Sequence, residues 1–229
     1  MAAPSTPVLD AFTGAAGTLL TTYDGTDWGA YVGLTSLQIA ASGTAVSSAS
    51  YGGHASYWKT SFGPDCDVYA TLITLPANAL SLTLDARITN PTNGGTVNRY
   101  SGRWTYSDVG SDTFAIVRTV AGADTTIATD SSGSYDLAVG DKMWLNCTGT
   151  TITFYRYNSG TTTWQQVLQA TDANVTGAGN IAIYLNGANN HGTWDDFGGG
   201  TVVAGAAGTG LPSSFLSQQA VPFMSNGRI

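Results

Sequence analysis

The feature that most restricts this chain is a pattern: short segments in which apolar and polar residues alternate with a period of two, each bounded by Gly, Asn, Ser or Pro. That period sends one set of side chains to a buried face and the other to solvent, as a half-buried antiparallel strand requires, and the 3.6-residue period of an amphipathic helix is nowhere sustained. The pattern predicts strands over Ser36–Ala41, Ala49–Trp58, Asp65–Thr74, Leu80–Thr89, Asn98–Ser107, Asp112–Val120, Thr125–Thr129, Lys142–Thr148, Thr151–Tyr157, Trp164–Ala170, Asn180–Asn186 and Trp194–Val203. Between them lie turn sequences such as Asn90-Pro91-Thr92-Asn93-Gly94-Gly95, Asp130-Ser131-Ser132-Gly133-Ser134 and Asn158-Ser159-Gly160, whose residues tolerate the backbone angles of tight turns. The clearest hairpin runs from Lys142 to Tyr157, with Met143, Leu145 and Cys147 facing Ile152 and Phe154 on one side, and Trp144 and Tyr155 on the other.

Composition agrees. All 15 acidic residues are Asp, lysine occurs only at Lys59 and Lys142, and charged residues make up 10% of the 229-residue chain; exposed helices draw on Glu, Lys and Gln, whereas Thr- and aromatic-rich segments suit strands. A dozen strands in a chain of this length predict an all-β, two-sheet antiparallel sandwich.

A formal net charge of −7 leaves no basic stripe to neutralise phosphates, which argues against nucleic acid and against anionic membranes as partners. No apolar run reaches the roughly 18 residues of a membrane span, and the first residues carry neither a charged nor an apolar signal segment. Cys66 and Cys147 sit at apolar positions of their strands and are expected as buried thiols, a disulfide between them being the alternative. Two cysteines do not by themselves make a zinc site.

Residues 8–203 read as one domain preceded by a short segment, 1–7. From Ala204 to Gly210 the chain is a Gly/Ala-rich spacer, and after it Leu211, Phe215, Leu216, Val221, Phe223 and Met224 form an apolar stretch. Such residues, separated from the core by a flexible linker, predict an arm that docks on a partner.

Three blocks carry a resemblance: Leu9-Asp10-Ala11-Phe12-Thr13-Gly14, then Phe62-Gly63-Pro64-Asp65-Cys66-Asp67-Val68-Tyr69-Ala70, and Trp194-Asp195-Asp196-Phe197. Over residues 8–203 the chain resembles the concanavalin A-like lectin/glucanase superfamily, and more narrowly the laminin-G-type jelly-roll domains of minor tail and other virion proteins of actinobacterial phages. The resemblance implies a jelly roll with its first and last strands adjacent. It also implies a structural calcium where they meet, with Asp196 as the ligand and Asp10 close by; no other cofactor is implied.

The catalytic motif of the related glucanases pairs two glutamates, and this chain has none. Asp65 and Asp67, two apart on a predicted strand, are the remaining carboxylate pair whose separation would suit glycoside hydrolysis. His54 and His191 have no nucleophile partner and read as loop or surface residues. Sugar binding asks for exposed rings beside planar polar groups. Tyr100, Trp104 and Tyr106 share one strand parity and form the first candidate glycan face, the alternative being that this row is core; Arg99, Ser101, Arg103 and Thr105 take the other parity. Trp144, Tyr155 and Tyr157 form a second candidate surface, and Trp164 a third.

The resulting expectation is a non-enzymatic structural protein of a tailed-phage virion, in the tail or associated with it, contacting host surface glycans. It would be assembled with other phage structural proteins in the host cytoplasm, be released with the particle, and form homo-oligomers that copy particle symmetry. The alternatives are a capsid decoration protein, a free carbohydrate-binding lectin and a glycan-degrading enzyme.

Overall fold

The computed structural model describes residues 3–43, 46–47, 53–92, 95–186 and 192–203. Fifteen strands and one short helix appear among them in chain order: β1 (Val8–Asp10), α1 (Leu20–Tyr23), β2 (Trp28–Ala30), β3 (Gln38–Ile39), β4 (Val46–Ser47), β5 (His54–Phe62), β6 (Cys66–Thr74), β7 (Ser81–Thr89), β8 (Asn98–Thr105), β9 (Thr113–Val120), β10 (Ala123–Asp130), β11 (Lys142–Thr148), β12 (Thr151–Asn158), β13 (Thr163–Thr171), β14 (Gly179–Asn186) and β15 (Thr193–Thr201). No helix among the described residues is long and apolar enough to cross a membrane.

The strands form two antiparallel sheets. Sheet A runs β13-β12-β11-β6-β15-β4-β3, with β1 also paired to β15; sheet B runs β10-β9-β8-β7-β14-β5-β2. This is the expected two-sheet jelly roll, and β1 and β15, near the two ends of the described chain, are neighbours.

Period-2 alternation supplies the core between the sheets. Val68, Ala70 and Leu72 of β6, Met143 and Leu145 of β11, and Phe154 of β12 meet Leu82 and Leu84 of β7, Tyr100 and Trp104 of β8, and Ile181 and Ile183 of β14 in one buried cluster. Gly102 lets the sheets close at one point, because a Cβ there would stand 3.0 Å from the Phe154 ring. The polar ends of two buried rings are satisfied in place: Trp104 Nε1 donates to Asp112 at 2.7 Å and Tyr100 Oη to Asp172 at 2.6 Å, as buried polar groups generally are.

A smaller cluster of Tyr31, Ala55, Ile88, Val97 and Ala182 lies apart from the main core. The loop after β2 crosses here, joined to the rest by isolated bridges at Val32–Thr92 and Thr35–His54. His54, expected in a loop or at the surface, is instead a buried residue at the start of β5, 1% exposed, with Nδ1 3.5 Å from the Ser36 carbonyl oxygen. His191 and the apolar residues Leu211, Phe215, Leu216, Val221, Phe223 and Met224 lie outside the described residues.

Candidate functional site

The first candidate glycan face is corrected by the fold. Tyr100 and Trp104 are both 0% exposed and project between the sheets, while Tyr106 is partly buried against the same core, 5.9 Å from Trp104. A saccharide has no path to stack on Tyr100 or Trp104. The physical reason is volume: the interior of a two-sheet sandwich needs large rings, and the aromatic parity of β8 fills it.

The opposite parity faces outward and builds a cleft of about 390 Å³ on sheet B, with Tyr31, Arg99, Arg103, Thr119, Asp124 and Tyr184 among its walls. Register places these residues together. Ser101 is opposite Asp85, Arg103 opposite Thr83, and Arg99 opposite Thr119, while Tyr184 is opposite Thr83 on the other side of β7. The turn at Ala121 and Gly122, with φ of 47° and 77°, takes the doubly left-handed form of a tight hairpin, which suits the twist of β9 and β10; Gly122 N donates to Val97 O at 2.9 Å.

Beside the cleft lies Asp85, 0% exposed. Its carboxylate accepts hydrogen bonds from Tyr31 Oη at 2.9 Å and Ser101 Oγ at 2.5 Å, and its Oδ2 is 3.4 Å from Arg99 Nη1. Burial and the adjacent Asp85 carboxylate push the Tyr31 pKa well above its ordinary value, so the hydroxyl stays a donor. The same carboxylate raises the pKa of Arg99, which keeps its charge although largely shielded from water. At the rim, Arg103 Nη2 is 3.4 Å from Asp124 Oδ2, and Thr119 Oγ1 donates to Asp124 Oδ1 at 2.7 Å. Two buried polar atoms, Arg99 Nε and Thr83 Oγ1, have no hydrogen-bond partner among the described residues, and an unmade buried bond is costly.

Two guanidinium groups and two carboxylates cancel in charge, leaving fixed donors and acceptors beside the Tyr184 ring. That arrangement matches a neutral, polyhydroxylated ligand rather than a phosphate or a cation. In the sequence only parity sets Arg99, Ser101 and Arg103 apart; the signal that points to them is that this one strand presents two arginines on its polar face.

The second and third candidate surfaces are one. On sheet A, Trp144 stacks on Tyr155 with ring centroids 4.4 Å apart, and Trp164 packs against Trp144 at 5.4 Å and Tyr157 at 5.3 Å. Trp164 and Tyr157 also border a hollow of about 220 Å³ with Tyr69 and Lys142.

Asp10 and Asp196 are brought to neighbouring strands, Asp10 pairing with Phe197, but not into one ligand set. The Asp10 carboxylate accepts from Phe12 N at 2.7 Å, Tyr23 Oη at 3.3 Å and Trp28 Nε1 at 2.7 Å. Asp196 lies in a bulge of β15 with φ of 50° and points elsewhere, to Thr71 Oγ1 at 3.1 Å and the Lys142 ammonium at 3.2 Å. With an ammonium already on one carboxylate and three donors on the other, the pair does not fit calcium, which asks for six to eight oxygens. Among the described residues no group of three or more His, Cys, Asp or Glu could hold a metal ion.

The Asp65 and Asp67 pair is likewise divided. Asp65 precedes β6 rather than lying in it and accepts from Gly149 N at 2.8 Å. Asp67 is 1% exposed and accepts from Thr6 Oγ1 at 2.8 Å and Trp144 Nε1 at 3.0 Å. Neither lines the sheet B cleft.

No protein-family model matches the sequence, and no curated protein does. Solved structures do match. A carbohydrate-binding module, CBM66, from Bacillus subtilis aligns with a TM-score of 0.54 at 15% identity over 75% of this chain and 92% of its own. A beta-glucanase from Bacillus licheniformis aligns with a TM-score of 0.54 at 11% identity over 85% and 97%. A Bacillus subtilis protein with a galectin-like fold aligns with a TM-score of 0.59 at 12% identity over 83% and 98%. At such identities these structures establish the lectin and glucanase jelly-roll fold and nothing finer.

Proposed function

We propose that this chain is a non-catalytic carbohydrate-binding domain whose sheet B cleft takes a neutral glycan, and that it serves as a structural protein of a tailed-phage particle, in the tail or associated with it. The observation that carries the first part is the cleft itself: the paired Arg99–Asp85 and Arg103–Asp124 groups and the Tyr184 ring. Hydroxyls of a sugar can bond to the rim groups Arg103 and Asp124, both more than one-third exposed. Turnover is no part of this reading, because glycosidases need two carboxyls free to flank a bond, and Asp85 and Asp124 are both engaged by cations and hydroxyls. Nor is a cofactor; calcium or a chelator is expected to leave the Tm unchanged, since only a ligand of the folded state shifts it.

Binding is tested by titrating the protein against a panel of neutral polysaccharides. Arg103→Ala and Tyr184→Ala are each expected to weaken binding by about tenfold, roughly the loss of one good hydrogen bond or ring contact. Loss in Trp164→Ala with no effect of the cleft variants would move the site to sheet A. Hydrolysis of any glycan in the panel would convert the reading to an enzyme.

The virion part rests on the resemblance of the sequence blocks and on the apolar stretch from Leu211 to Met224 behind its spacer. Mass spectrometry of purified particles tests it: the protein should be present in stoichiometric amounts, and its absence would sink the assignment. Cross-linking within the same particles separates a tail location from a decoration role on the head, and reports whether copies contact one another.

A further inference from the structure

Cys66 and Cys147 are Cα partners, directly opposite each other on the antiparallel strands β6 and β11. Both are free, both are 0% exposed, and both belong to the core cluster between the sheets, so their side chains leave the same face of sheet A. We propose that the pair is a covalent crosslinking site: a cross-strand disulfide forms between Cys66 and Cys147 when the chain folds in the presence of a small-molecule disulfide oxidant. Opposed residues of an antiparallel pair have Cα atoms about 4.5 to 5.5 Å apart, within the roughly 4.4 to 6.8 Å that a disulfide spans. No strand has to move to another register.

The position gives the bond a purpose. In sheet A the order β13-β12-β11-β6 joins the three-stranded meander of residues 142–171 to the sheet through the β11–β6 ladder alone. That meander carries the Trp144, Tyr155 and Trp164 rings. A bond between Cys66 and Cys147 fastens it at one end of this seam and removes a long loop from the unfolded ensemble.

Exchange balances with a glutathione-type disulfide. One cysteine thiolate attacks a sulfur of the oxidant and releases a first glutathione thiolate; the second cysteine thiolate attacks the mixed disulfide and releases another. Two protein thiols are oxidised, one small disulfide is reduced to two thiols, and the two protons pass to the leaving groups. The step belongs to folding rather than to the closed protein. Burial pushes the Cys66 thiol up to about 11 and the Cys147 thiol well above the usual range, so the folded pair holds little thiolate, whereas thiols of the open chain titrate near about 8.5.

The test uses the full-length protein, unfolded in guanidinium chloride and refolded by dilution either into a glutathione/glutathione-disulfide buffer or into dithiothreitol. The oxidised sample should contain no thiol titratable in denaturant, weigh two hydrogens less, and yield a peptide joining Cys66 to Cys147. It should melt on the order of 5 to 15 °C above the reduced sample, and dithiothreitol should abolish the gain. Cys66→Ala and Cys147→Ala should each melt at one temperature in both buffers; where either variant fails to fold, the chemical readouts on the unmodified chain decide. Two remaining thiols, glutathione adducts, disulfide-linked dimers, or an oxidised form that melts no higher than the reduced one would overturn the proposal.

Discussion

Arg99 and Arg103 lie four residues apart on one strand, and their environments assign them different energetic roles. Arg99 is the cation beside fully buried Asp85, so Arg99→Ala strands a carboxylate that keeps only the Tyr31 and Ser101 hydroxyls. A loss of about 3 to 5 kcal/mol is expected, read as a fall in the urea midpoint at unchanged slope. Arg103 and Asp124 are both more than one-third exposed; Arg103→Ala should cost less than about 1 kcal/mol and act on binding instead. Asp172 sets part of the acid response. Burial alone would raise its pKa, but hydrogen bonds from Tyr100, from Asn174 and from Arg118 outweigh that and hold it at about 2. Because the folded value is below the ordinary value of 3.8, its contribution is present above about pH 4 and disappears as pH falls toward 2. Asp172→Asn should lower stability at neutral pH and flatten the stability curve over that window, measured by urea unfolding at stepped pH. That Tyr100 and Arg118 reach Asp172 was not legible in the sequence, since they lie on β8 and β9, far away along the chain.

At the level of strands, the alternating pattern located most of them to within a few residues, and Lys142–Thr148 has the boundaries the pattern implies. The elements it did not locate, β1, β2 and β4, have two or three residues each, too few to display a period. Bulges are the second source of error, because an extra residue exchanges faces for everything beyond it. In β7 the irregularity after Ala86, with Arg87 at φ 54°, sends Ile88 to the outer cluster instead of the core that holds Leu82, Leu84 and Ala86. Arg87 itself turns into the end of the sandwich, donating to the carbonyl oxygens of Pro64, Val175 and Gly149. The run Gly198-Gly199-Gly200 reads from sequence as a bulge or bend in a terminal strand; it lies in β15, beside the irregularity between Asp195 and Gly198, and is the floor under a ring, since a Cβ on Gly198 would meet Tyr69 at 2.2 Å. Gly198→Ala should therefore destabilise by about 1 to 3 kcal/mol through overpacking. In a double-mutant cycle with Tyr69→Ala the combined cost should fall well below the sum, because the ring that clashes is gone.

For the molecule as a whole, β15 ends at Thr201 after pairing with β6, β4 and β1, so a chain ending at Val203 is expected to keep its Tm and its glycan affinity while losing attachment to phage particles. Circular dichroism melts, glycan titration and particle pull-down with both lengths check this; glycan affinity lost together with the tail would place residues 204–229 in the binding site. Sequence by itself determined the class of fold, because a period of two with aspartate, threonine and aromatic residues but no glutamate and little lysine has few stable solutions other than two antiparallel sheets. It also determined which residues share a strand face wherever no bulge intervenes. Tertiary structure decided which face of each strand is inside, and with it the site: the aromatic parity of β8 became core and the Arg99–Arg103 parity became a cleft. The physical reason is that alternation is symmetric between faces. Only the packing of one sheet on the other, and the crossing of the loop that carries Tyr31, selects the face excluded from water and brings charges from distant strands into one network.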